Sequence, residues 1–374
     1  MAAEVAGDPA GRSGREGSQP PDVAVIGGGL AGSLAALALA RRQLAVMLIS
    51  PAAALAAGGQ NAAATALSYG SVAGLAAAAR WLALESRHGP LGWHASAVVL
   101  HGLGAAGGQR RSPLLRSLAS RLPLVPAPLP FSRVDGCALA RALPPALAAA
   151  GVLGLQRRVR GLQPAPGGGW RLELDDGTWR SAPRVLLTTG GACRSLWPSL
   201  PGTLRTSWAG VLVQPRLRGR SRWLDVVRRG WMVFPRHLRR PALERQSSQA
   251  PPQARWVVDV SLAPWGEGLL AGQITWLPAP QTAASGAPTD LDALEGCLRR
   301  ELGRLDPALA ALEAGFHLVP VSYSSDGVPL AAEVAPGLWV LAGCSNAYSH
   351  LPALADGLAA RIAAAAQGEP GRSR

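Results

Sequence analysis

The segment Val23-Ala24-Val25-Ile26-Gly27-Gly28-Gly29-Leu30-Ala31-Gly32 constrains this chain more than any other. Four consecutive apolar residues form the run expected of a parallel strand buried on both faces. Glycines in a G-x-G-x-x-G spacing follow at once, and Ser33 to Arg42 then reads as an Ala/Leu helix. Ala45-Val46-Met47-Leu48-Ile49 is a second apolar run, which makes one βαβ unit of about 30 residues. Alone, the glycine spacing is a weak signal; between a buried strand and a helix it is informative. Gly27 allows a tight turn, Gly29 lets a pyrophosphate approach the backbone, and Gly32 lets helix and strand pack closely. The helix N-terminus adds free N–H groups and the positive end of its dipole. A dinucleotide is the expected ligand, and a nicotinamide or a flavin form satisfies the pattern equally.

The rest of the composition narrows the class. The chain has 374 residues, 48% hydrophobic and 16% charged, which suits a folded protein with more than one domain. No run approaches the roughly 20 apolar residues of a membrane span, and residues 1–20 lack the apolar centre of a signal peptide. We expect a flexible tail there and a cytoplasmic protein. Cys137, Cys193, Cys297 and Cys344 stand far apart in no metal or redox spacing and read as reduced thiols. His88, His94 and His101 form no zinc pattern and read as surface or structural, so no metal is expected. The net charge is +14 and every basic side chain is arginine, which excludes a P-loop lysine, a Schiff base or a lysine base.

Further along, Asp135 to Gly151 is helix-like, with Pro144-Pro145 expected to bend or interrupt it. Gly151 to Leu162 reads as one strand. Trp170 to Leu174 alternates around the turn Asp175-Asp176-Gly177 and signals a hairpin. Val185-Leu186-Leu187 is another buried strand and runs into Thr188-Thr189-Gly190-Gly191. From about Pro201 to Tyr323, short Trp-bearing strands between Arg- and Pro-rich loops predict a mainly antiparallel region with one helix near Asp290 to Leu302. Leu338 to Gly343 is a closing strand, and Pro352 marks the expected start of a helix to Ala365.

These pieces, in this order, resemble the FAD-dependent D-amino-acid oxidase and glycine oxidase family over most of the chain. Asp22 to Gly32 is similar to its opening strand and loop, and Gly58-Gly59-Gln60-Asn61-Ala62 to its polar loop after the second strand. Val134-Asp135-Gly136 with Leu139 to Leu143, the hairpin from Trp170 to Gly191, and Ser325 to Leu330 with Gly337 to Gly343 and Pro352-Ala353-Leu354 resemble its later elements. The resemblance implies a Rossmann-like FAD-binding domain with an inserted, mainly antiparallel α+β substrate domain. It divides the chain into 21–80, 131–200 and 324–368 for FAD, and 81–130 and 201–323 for substrate. FAD, bound non-covalently, would meet Gly27, Gly29, Gly32, Ser50, Asn61, Gly190, Gly191, Gly343 and Ser345.

Two departures stand out. Ser50 occupies the position where the family usually has an acid for the adenosine ribose. Gly343-Cys344-Ser345-Asn346-Ala347-Tyr348-Ser349-His350 replaces the usual Gly-His-Gly-like loop and implies a different substrate pocket. Tyr348 and His350 are candidate substrate contacts, with packing in the loop as the alternative. Arg236, after Trp231 to Pro235, is the candidate anchor for a substrate carboxylate. The resulting expectation is hydride transfer from an amine or amino acid to flavin. The alternatives are a basic tRNA- or partner-binding flavoprotein, in which the arginines of Arg216–Arg240 meet an anionic partner, and a fold that has lost its flavin.

Overall fold

The computed structural model describes residues 20–51, 70–102, 129–249, 254–279 and 286–368. Its strands in the first half are β1 (Val23–Ile26), β2 (Val46–Ser50), β3 (Ser71–Val72), β4 (Trp93–His101), β5 (Leu129–Val134), β6 (Leu153–Gln156), β7 (Val159–Pro164), β8 (Trp170–Leu174), β9 (Trp179–Ala182) and β10 (Arg184–Leu187). Those that follow are β11 (Leu204–Gln214), β12 (Met232–Pro235), β13 (Arg255–Val258), β14 (Leu262–Trp265), β15 (Gly268–Leu277), β16 (Gly315–Ser324), β17 (Leu330–Ala335) and β18 (Leu338–Ala342). The helices are α1 (Leu30–Ala40), α2 (Leu75–His88), α3 (Gly136–Ala149), α4 (Cys193–Leu196), α5 (Arg222–Arg228), α6 (Arg240–Gln246), α7 (Leu291–Leu305), α8 (Pro307–Ala310) and α9 (Ala347–Gln367).

A six-stranded sheet in the order β17-β18-β10-β1-β2-β6 forms the first body, parallel except for β17 at one edge. Its central strands β1, β2, β10 and β18 are mostly apolar because both of their faces are covered. Val23, Val25, Val46, Leu48, Leu186, Trp339 and Leu341 face a core shared with α1, α2, α3 and α9. The alternate residues Ala24, Ile26, Met47, Ile49, Val185, Leu187, Leu338 and Val340 face Trp170, Leu172 and Leu174 of the three-stranded sheet β7-β8-β9. Helices, parallel sheet and antiparallel sheet thus make three layers, the period-2 alternation sending neighbours to opposite cores.

The second sheet runs β16-β11-β15-β14-β12-β4-β5-β3, with β13 also paired to β15; only β12 and β4 are parallel among its neighbours. One face packs on α5, α7 and α8 through Val99, Leu212, Leu224, Leu262, Leu298 and Leu309. The opposite, inner face carries Val98, Met232 and Ala263, and farther along Tyr323 and Leu277 beneath Leu243 of α6. Asp135 joins the two bodies: one carboxylate oxygen accepts the Ala138 N–H at the start of α3, and the other accepts the Gly266 N–H from the β14–β15 turn.

Several local expectations need correcting. Pro144 and Pro145 lie inside an unbroken α3, whose Leu139, Leu143, Ala146 and Leu147 are buried; core contacts outweigh the lost N–H bonds. The stretch 151–162 is two strands in different sheets, β6 and β7, separated at Arg157-Arg158. Helix α9 starts at Ala347, five residues before Pro352. Proline at 352 offers no N–H to the Tyr348 carbonyl four residues back, and the Trp81 indole N–H donates to that oxygen at 2.7 Å. The region 201–323 holds α5, α6 and α8 besides the expected helix α7. Among the described residues, no helix is long and apolar enough to cross a membrane.

Candidate functional site

The three glycines of the first loop have different surroundings. Gly27 sits at φ +111°, and a Cβ there would stand 2.8 Å from the Thr188 carbonyl oxygen. A Cβ on Gly32 would overlap the Gly27 carbonyl oxygen and lie 2.6 Å from Thr188 Oγ1. A Cβ on Gly29 would meet no atom of the described residues within 4 Å. Gly27 and Gly32 are therefore glycine for the protein's own packing, whereas Gly29 faces room that the protein leaves open. Gly29 is also the N-cap of α1, which has no capping side chain and no acid in its first turn. Its leading N–H groups and dipole are left for an anion. This cradle fits a dinucleotide pyrophosphate.

Two hydroxyls shape the loop. Thr188, at the end of β10, points Oγ1 at the carbonyls of Ile26 and Gly27, 2.8 and 2.9 Å away. Ser50, 1% exposed at the end of β2, accepts the Gly28 N–H at 3.0 Å. Ser50 thus holds the phosphate loop to the next strand. A longer acid at this position would have to displace that bond or turn elsewhere.

The other glycines named from the sequence lie where the two bodies meet. Gly190 opens a 3-10 turn at φ +59°, and a Cβ on Gly191 would overlap Thr206 Oγ1 on β11. Gly343 turns at φ +79° after β18, its N–H donating to Ser322 Oγ at 3.1 Å. A Cβ on Gly343 would stand 3.1 Å from Leu204 Cδ1. Both positions are required by the close passage of β11 and β16. Asn61 lies outside the described residues.

After Gly343 the loop meets α6. Ser345 Oγ donates to Glu244 Oε2 at 2.7 Å, and the Ser345 carbonyl accepts from Arg240 Nη2 at 2.8 Å. Burial pushes the Glu244 carboxyl above the usual carboxylate range, against the pull of Arg240 and Ser345. Tyr323 is buried, its phenol pushed up by burial and donating to Ser247 Oγ at 2.9 Å. Tyr348 is 3% exposed, in the helix-side core, its ring stacked on Trp81 with centroids 6.1 Å apart. His350 is exposed in the first turn of α9, and Arg236 is exposed just beyond β12. The structure thus sends Tyr348 into packing and leaves His350 and Arg236 open to solvent.

Sequence reasoning assigned Thr188 and Glu244 no role and placed Arg240 only in the basic segment Arg216–Arg240. Thr188 was visible as a polar residue ending an apolar run, while Arg240 and Glu244 form an i,i+4 pair on a helix too short to show periodicity. His101 is structural: Nε2 lies 2.6 Å from the Val260 carbonyl and the ring sits edge-on to Trp223. Among the described residues, no three His, Cys, Asp or Glu side chains gather as a metal site would require.

Comparison with known proteins agrees with this architecture. Glycine oxidase from Geobacillus kaustophilus superposes with a TM-score of 0.64 at 19% identity, over 95% of this chain and 97% of its own. L-amino acid deaminase from Proteus myxofaciens gives 0.62 at 14% identity, over 94% and 92%. L-proline dehydrogenase from P. horikoshii gives 0.59 at 14%, over 92% and 93%. At these identities the likeness is one of fold. No curated protein matches the chain in sequence. The family described as DAO, FAD dependent oxidoreductase, matches residues 22–361, and with the phosphate cradle at its N-terminal strand the chain belongs to that family.

Proposed function

We propose that this protein oxidises the C–N bond of an amine or amino acid, with FAD held non-covalently against the Gly27–Gly32 loop. The carrying observation is the contrast among the three glycines: only Gly29 faces open room, and it does so at the uncapped N-terminus of α1. Bound FAD supplies the hydride acceptor, so no protein base is obligatory. The chain's own work is to bind, orient and exclude water. Gly29 and the first turn of α1 hold the pyrophosphate, while Ser50 and Thr188 keep the loop in shape. Gly190, Gly191, Gly343 and Ser345 form the backbone around the rest of the cofactor, with Asn61 as a further contact. Arg236 offers a planar guanidinium to a substrate carboxylate, and His350 offers a polar substrate contact.

Non-covalent binding is supported by the cysteines. Cys344 in the closing loop is buried and its thiol pushed up to about 12, so the nucleophilic thiolate is suppressed at neutral pH. The amino-acid substrate class is supported by the names of the three structural neighbours. The test is the absorbance spectrum of the purified protein, followed by anaerobic addition of amines, amino acids and hydroxy acids. A protein that is colourless and takes up no added FAD refutes the cofactor assignment. Bound flavin that no amine or amino acid bleaches refutes the reaction.

A second reading concerns the arginines of Arg216–Arg240. Arg216, Arg220, Arg222 and Arg229 are exposed, and Arg218 is only 4.0 Å from a likewise exposed Glu313. Such a surface suits an anionic partner such as tRNA. RNA binding that weakens steeply with salt and disappears on neutralising these arginines would establish it; absence of binding at low salt would remove it.

A further inference from the structure

Helix α6 lies between the inner face of the nine-stranded sheet and the loop Gly343–Asn346, and both of its ends are fastened. Asp259, 6% exposed, accepts the N–H groups of Arg239 and Arg240 at 2.7 and 2.9 Å. At the other end Tyr323 donates to Ser247 Oγ, which donates to the Glu244 carbonyl at 2.5 Å. From this bracket Arg240 grips the Ser345 carbonyl and Glu244 grips its hydroxyl. Glu244 is 3% exposed, yet among the described residues its Oε1 has no hydrogen-bond partner, Arg240 Nε standing 3.8 Å away. A buried carboxylate left half-satisfied is a cost to folding that an apolar side chain of similar size would avoid. Stability therefore does not account for a glutamate here.

We propose that Arg240 and Glu244 are positioning residues that fix Ser345, and through it the loop entering α9, against the substrate domain. The inference rests on the reading above that this loop borders the cofactor. Neither side chain is assigned to touch substrate or the reacting atoms. Two opposed grips on one residue set both the position and the rotation of its peptide, which one bond alone would not.

Hydrogen exchange of the amides in 344–350 tests this in the full-length protein, before and after adding FAD, alongside thermal unfolding and the rate of FAD release. Glu244→Leu is expected to keep or raise thermal stability while loop amides exchange about tenfold to a hundredfold faster, the equivalent of one charge-assisted hydrogen bond. FAD release should quicken in step. Glu244→Gln, which keeps an acceptor oxygen, should recover part of the loss, and Ser345→Ala should add nothing to Glu244→Leu. Unchanged loop exchange in Glu244→Leu, or additive effects of the two substitutions, overturns the proposal. Should Glu244→Leu fail to fold, Ser345→Ala alone removes the same grip, and unchanged loop exchange in that variant overturns it equally. If the protein takes up no FAD, the functional reading falls, while the exchange rates still decide the grip.

Discussion

Placing one methyl group at Gly29 and at Gly32 should have opposite consequences, and the sizes follow from the geometry. At Gly32 alanine gains about 1 kcal/mol of helix propensity. Its Cβ, however, would overlap the Gly27 carbonyl and stand 2.6 Å from Thr188 Oγ1. Relieving that overlap means moving backbone or breaking the Thr188 bonds to Ile26 and Gly27. Overpacking costs about 1–3 kcal/mol and a buried unmade hydrogen bond a similar amount, so after the propensity gain Gly32→Ala should lose a net ~1–5 kcal/mol. At Gly29 the same methyl meets nothing, and the change should be about 0.5 kcal/mol, since alanine is a slightly poorer N-cap than glycine. The methyl does occupy the room left for the pyrophosphate, so FAD affinity should fall by at least about tenfold, or ~1.4 kcal/mol. Thermal unfolding without FAD and FAD titration followed by flavin fluorescence separate the two effects. If Gly29→Ala binds FAD like wild type, or destabilises the cofactor-free protein as much as Gly32→Ala, the assignment of the cradle is refuted.

Ser50→Ala leaves the half-buried Gly28 N–H without its acceptor and should cost about 1 kcal/mol, read by chemical denaturation of the cofactor-free protein. Trp81→Phe removes the indole N–H that donates to the Tyr348 carbonyl, for which proline at 352 offers no N–H, and should cost about 1–2 kcal/mol. Adding Pro352→Ala supplies that N–H, so the double variant should recover part of the loss; independent, additive effects would contradict this account. Glu244 supplies a pH dependence. Its folded carboxyl titrates above the ordinary 4.5 because of burial, so its contribution to stability is present below that value and is lost as pH rises through the folded one. The melting temperature of Glu244→Gln relative to wild type should therefore rise as pH increases through this window; a flat difference would count against the burial argument.

What the sequence disclosed depended on how local the cause was. The run Val23–Ile26, the glycine loop and the Asp175-Asp176-Gly177 hairpin are local signals, and each led to the right element. Pro352 misled because its local preference to start a helix was overridden by Trp81, distant in sequence, which donates to the carbonyl to which proline offers no N–H. The break at Arg157-Arg158 was hidden because adjoining strands of different sheets, with no Pro or Gly between them, look like one extended stretch. Arg236 drew notice as the arginine ending a strand, yet Arg240, one helical turn onward, is the one that reaches the closing loop. In a chain whose every basic side chain is arginine, residue type alone does not single one out. Tyr348 looked like a substrate contact until α2 filled the space on its side of the sheet.

The arrangement of the six-stranded sheet also sets a clock during protein synthesis. Thr188, which shapes the loop at Gly27, is 161 residues farther along, and β10, which carries it, pairs directly with β1. At about 5–20 residues per second, a ribosome delivers that partner roughly 10–30 s after the loop itself. The helix-side face of α1 waits longer still, for Tyr348, Leu351 and Leu358 of the final helix. The glycine loop, made long before these partners, takes its shape only after they follow. FAD thus has no finished cradle until β10 and the helix α9 have both been synthesised.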